Sequence, residues 1–131
     1  GLSLVTGVLD KKFNFWSLPE EKRNMFIEKL YNALIELLLR FEEDWSSNRV
    51  NKDNILIVNF DRMMNDFDGL MSDITSFVDF NPSQDFLNDI KETADKQRVF
   101  KSGHKYDLDK FGLTEEKIKN DCKKIYDTFL S

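Results

Sequence analysis

The stretch SLPEEKRNMFIEKLYNALIELLLRFEEDWSS, residues 17–47, constrains the fold more than any other part of the chain. Ile27, Leu30, Tyr31, Leu34, Leu38, Phe41 and Trp45 recur at spacings of three and four, which places them on one face of a long helix. Ser17 with Glu20 three residues later has capping-box spacing, and Pro19 suits a first turn, where its missing N–H costs nothing. Around ALIELLL the apolar surface widens beyond one stripe, so burial on more than one side is expected. Such a face must be covered by other elements. Only two prolines and five glycines punctuate the 131 residues, so most of the chain should be regular structure.

The next informative stretch is NILIVNF. Its continuous apolar run Ile55–Val58 is short and β-rich, the pattern of a strand buried on both faces of a parallel sheet. Helical patterns follow over residues 66–78, through Phe67, Leu70, Met71, Ile74, Phe77 and Val78, and from about Ser83 to Gln97, with Pro82 between them. A last helix starts at Thr114, where Glu115 and Glu116 suit its positive end, and runs along Ile118, Cys122, Ile125, Tyr126 and Phe129. At the other end, LSLV reads as a second, weak strand and VLDKKFNFW as an ordered aromatic loop. The expected fold is mainly α with one buried β-strand and at most one short second strand, in a single domain spanning residues 1–131. A lone interior strand cannot satisfy its own backbone. Either two copies pair across an interface or the rest of a sheet lies on other sequence, and the glycine start without an initiator Met favours a fragment.

Composition narrows the function. A net charge of −5 argues against nucleic-acid binding by bulk electrostatics. The single cysteine, Cys122, excludes an internal disulfide and a Cys-rich zinc site. No apolar run approaches the roughly 20 residues that span a bilayer, and no signal-peptide order opens the chain. The expectation is a cytoplasmic protein without a membrane partner, assembled as a homo-oligomer through its strand or long helix.

Candidate chemistry concentrates in RVFKSGHKYDLDKFGLTEEKI, residues 98–118. It holds the only histidine, His104, within a basic cluster of Lys96, Arg98, Lys101, His104 and Lys105 in an otherwise acidic chain. His104 has no second histidine or nearby cysteine with which to bind a metal, and reads as a loop histidine bonded to backbone. Basic side chains beside the flexible backbone of Gly103 can close over a phosphate; a solvated connector is the competing reading. Asp61, where the apolar run ends, reads as a cap for the helix that follows. Asp66, Asp68 and Asp73 lack the spacing of a calcium loop.

Two of these stretches together resemble the PAPS-dependent sulfotransferases. ILIVNFDRMMNDFDGLMSDITSFVDF is similar to the family's late strand–helix unit, V-x-Y-E-D-L, then D-P, then a helix ending F-L. Phe60 stands for Tyr, Asp61 for Glu, Met63 for Leu, Asp66 for Asp, and Phe77-Val78 for Phe-Leu, while Arg62 replaces the second acid and Phe67 the proline. The tail pattern K-S-x-H-x-Y-x-L-x-x-F-G-L-(T/D)-x-E-x-I appears as Lys101, Ser102, His104, Tyr106, Leu108, Phe111, Gly112, Leu113, Thr114, Glu116 and Ile118. The resemblance covers about the last 80 residues. It implies a C-terminal fragment of an α/β, P-loop-like fold that moves a sulfuryl group from PAPS to a hydroxyl or amine. It also implies that Arg98, Lys101, Ser102 and Gly103 contact the nucleotide's 3′-phosphate. No Lys-containing phosphate loop occurs in the chain, so the fragment is expected to be inactive alone and to hold PAPS only within a complete enzyme. The alternative is a free-standing helical interaction module.

Overall fold

A computed structural model describes residues 1–100 and 107–130. They form two compact units: Gly1–Val50 with Tyr106–Ser131, and Asn51–Lys105.

In the first unit, α1 (Leu2–Phe13) packs on the long α2 (Glu20–Ser46). LSLV is therefore the first turn of a helix and not a strand. Leu2, Val5, Thr6 and Leu9 share one helical face, and Thr6 is 2 % exposed. The Thr6 hydroxyl donates to the carbonyl of Leu2 at 2.8 Å, so its polar atom is satisfied inside the helix. Asn14 ends α1 in the left-handed region at φ 50°, a conformation asparagine tolerates, and a 3-10 turn at Phe15–Ser17 leads into α2. The anticipated Ser17 capping box is absent, because Ser17 belongs to that turn and Pro19 occupies the N-cap. Arg23 donates to the Trp16 carbonyl at 2.6 Å instead.

Phe15 is the hub of this unit. It is 3 % exposed and meets Trp16 and Phe26 edge-on, with centroids 5.1 and 5.3 Å away. Ile27 and Tyr31 continue the buried face of α2. The expected double-sided burial of ALIELLL fails: Leu37 is 67 % exposed, and α2 is covered along one face only. That cover includes the C-terminal helices, α6 (Glu115–Asp121) and the short α7 (Lys123–Ile125), which passes into a π-helical turn at Tyr126–Leu130. Phe129 stacks on Phe41 at 5.6 Å and meets Trp45 edge-on at 5.5 Å. The carboxylate of Glu42 accepts hydroxyl hydrogen bonds from Ser46 at 2.5 Å and Thr128 at 3.0 Å.

The second unit contains α3 (Phe60–Asn65), α4 (Phe67–Phe77) and α5 (Gln84–Val99), with α3 packed on both of the others. Leu70, Thr75, Ile90 and Ala94 are its buried residues. The expected strand is not there. Among the described residues no β-strand forms, so the α/β fragment is corrected to a helical fold. Ile55 is extended at φ −130°, ψ 118°, but the N–H groups of Leu56, Ile57 and Val58 bond to no described backbone carbonyl. These three side chains are 37–40 % exposed, where the apolar run had suggested full burial. An apolar tetrapeptide becomes a strand only when a neighbouring strand completes its ladder. The cap of α3 also differs, since the Asn59 side chain, not Asp61, accepts the capping bond, from Asp61 N–H at 3.1 Å.

Candidate anion site at the end of α5

Ser83 starts α5 by accepting from Phe86 N–H at 3.3 Å. Ile90 and Ala94, one helical turn apart, bury the face turned to the other helices of the unit. Arg98 lies one turn further along that stripe, in the last turn of α5. The register delivers its guanidinium to Asp68, in the first turn of α4, at 3.2 Å, and a second donor reaches Asp95 at 2.7 Å. Arg98 thus ties the end of one helix to the start of another, with both of its carboxylate partners open to solvent. Asp68 suits the positive end of α4, whereas Asp95 lies near the negative end of α5 and gains more from the cation.

Of the other basic residues read from the sequence, Lys96 is engaged by Glu92 at 2.5 Å, and that cation holds the Glu92 carboxyl below its ordinary value. Lys101, Ser102, Gly103, His104 and Lys105 lie outside the described residues. Arg62 is a parallel case to Arg98, bridging Asp66 at 2.9 Å and Asp73 at 2.7 Å. Sequence reasoning named Arg98 but missed Asp68 and Asp95 as its partners. Asp95 was within reach as an i,i+3 pair, whereas nothing local signals a contact across 30 residues.

The rest of the tail pattern has a folding rationale. Phe111 lies 5.9 Å from Trp16, whose ring also carries the Lys110 ammonium at 4.1 Å. Gly112 closes a 3-10 turn at φ 64°, in the left-handed region. Leu113 is buried and Thr114 caps α6, accepting from Lys117 N–H at 3.1 Å. The letters F-G-L-T therefore spell a turn followed by a helix start.

Elsewhere in the first unit, a groove of about 480 Å³ runs between α2 and α6–α7. Glu36, Glu43 and Asp121 face Arg40, Lys123 and Lys124 there, a mixture that favours neither anion nor cation. Beside it Tyr31 donates to Asp121 at 2.7 Å; burial first, and that bond second, push the phenol well above its ordinary value. Among the described residues no group of three His, Cys, Asp or Glu could hold a metal, and no helix is long and apolar enough to cross a membrane. No family model matches the chain, and neither does any curated protein or solved structure.

Proposed function

We propose that this chain is the C-terminal part of a PAPS-dependent sulfotransferase and serves to hold the nucleotide's 3′-phosphate rather than to perform the transfer. The observation that carries this reading is the run from Lys101 to Ile118. Phe111, Gly112, Leu113 and Thr114 are accounted for by the turn they build. Lys101, Ser102 and Gly103, outside the described residues, begin three positions after Arg98 in sequence. A guanidinium, an ammonium, a hydroxyl and glycine N–H together suit a dianionic phosphate. In the parent reaction a base deprotonates the acceptor hydroxyl or amine, and cations stabilise the departing phosphate in-line with it. The role of this chain is to fix the nucleotide by its far end.

The test uses the full translation product of the reading frame that contains these residues. It should bind adenosine 3′,5′-bisphosphate more tightly than adenosine 5′-phosphate in calorimetry. Lys101→Ala should erase most of that preference, about 1–3 kcal/mol for a charge-assisted hydrogen bond. Equal affinity for the two nucleotides would end the proposal. The purified 131-residue chain should transfer no sulfuryl group from PAPS.

A second reading, a helical module that self-associates, is favoured by one observation. Phe60, Val78, Phe80, Val99 and Phe100 of the second unit are each more than half exposed, and exposed apolar surface of this kind marks an interface. Light scattering at micromolar concentration discriminates: a well-folded monomer counts against it.

A further inference from the structure

We propose that Asp68 and Asp95 act as an internal stand-in for phosphate, holding Arg98 in place and competing with the nucleotide's 3′-phosphate for its guanidinium. The inference rests on the nucleotide-binding reading above and adds a device that sets the affinity of that site.

Three features carry it. Both carboxylates lie within hydrogen-bond reach of Arg98, at 3.2 Å and 2.7 Å, and they engage different terminal nitrogens. The two donors that would grip a phosphate are therefore already in use. The exchange is also feasible: the Arg98 and Asp68 side chains are each 48 % exposed and Asp95 is 76 % exposed, so water can take over from the cation when it leaves. Finally, the two acids differ in what they lose. Asp68 keeps the favourable field at the start of α4, whereas Asp95 is left at the end of α5 where a negative charge is unfavourable.

A phosphate dianion outcompetes either carboxylate singly because it brings more charge and more acceptor oxygens to the same fork. The carboxylates still subtract from its affinity. They also keep the long side chain ordered at rest, so that little rotamer freedom remains to be lost on binding. Arg98 is thus a binding residue, and Asp68 and Asp95 are positioning residues that act through it.

The experiment measures adenosine 3′,5′-bisphosphate and adenosine 5′-phosphate binding by calorimetry in the full translation product. Wild type is compared with Asp68→Asn, Asp95→Asn, the double variant, and each of these combined with Arg98→Gln. Asparagine is nearly isosteric, and circular dichroism verifies folding. Exposed ion pairs of this kind shift an equilibrium by up to about 1 kcal/mol, which is about fivefold at 25 °C. Each single variant should therefore tighten the bisphosphate about two- to fivefold and leave the 5′-phosphate unchanged. Asp95→Asn should have the larger effect, since Asp95 makes the shorter contact and, at the negative end of α5, loses more than Asp68 when the cation is withdrawn. Asp85→Asn, the same charge change in the first turn of α5, should do nothing. Unchanged or weaker bisphosphate binding would overturn the inference while leaving the nucleotide reading intact. So would tightening that persists with Arg98→Gln or is matched by Asp85→Asn. If wild type does not distinguish the two nucleotides, or binds neither, the nucleotide reading falls and this inference falls with it.

Discussion

Phe15→Ala is the sharpest probe of the first unit. A buried phenylalanine removes about 150–250 Å² from water, and at about 25 cal/mol/Å² that is worth about 4–6 kcal/mol. Alanine retains part of this, so the loss should be about 3–5 kcal/mol, within the range for Phe→Ala in packed cores. The edge-on contacts with Trp16 and Phe26 place it in the upper half of that range. A domain has about 5–15 kcal/mol in total, so the unit would be left near its threshold. The assay is urea unfolding followed by tryptophan fluorescence. The chain has two tryptophans, Trp16 and Trp45, and both lie in the first unit, so the signal reports on that unit. Phe15→Leu should cost about 1 kcal/mol, since it keeps most of the volume. A Phe15→Ala loss below about 1 kcal/mol, or equal losses for Ala and Leu, would refute the hub role.

Three further outcomes are expected. At Gly112 a new Cβ would meet nothing within 4 Å, so Gly112→Ala should cost about 1 kcal/mol through the left-handed backbone alone; Gly112→Asn should cost less, and equal costs would point to a different cause. Cys122 is 6 % exposed, and burial, seconded by Asp121, raises its thiol above the ordinary value, so alkylation near neutral pH should proceed only at the rate of opening, measured by mass spectrometry. Asp121 is held below its ordinary value by Lys117 first and Tyr31 second; its stabilisation is full above the unfolded carboxyl pKa of about 4 and is lost as pH falls through the lower folded value. Tyr31→Phe should therefore flatten the acid limb of a stability–pH curve.

How far the sequence led can be judged element by element. The helix capped by Thr114 was legible because its cap is a local device, a side-chain oxygen accepting from an N–H three residues on, and the segment from about Ser83 was legible from its apolar spacing after Pro82. Residues 66–78 were legible from period alone. The errors came where two patterns compete. Val5, Thr6 and Val8 are β-branched and LSLV reads as a strand, yet Leu2, Val5, Thr6 and Leu9 also fit a helix, and packing on α2 favours it. In Ile55–Val58 four apolar residues carry no period, so strand or no strand depends on what lies beside them. At the candidate site the cation could be read, but its partner Asp68 could not.

The first unit is interrupted. Its two pieces, residues 1–50 and 106–131, are separated by the whole of the second unit, and bonds such as Tyr31 to Asp121 and Glu42 to Thr128 span 90 and 86 positions. During synthesis the second unit is finished while the face of α2 still awaits α6 and α7. Closing so long a loop through a disordered insert carries an entropic cost that grows with its length, and folding the insert beforehand shortens the effective loop. The order of translation therefore favours the contiguous unit as the earlier folder. A ribosome stalled with residues 106–131 still in its tunnel would present a nascent chain whose Ile27 and Tyr31 lack their final cover, the stage at which a chaperone has most to hold.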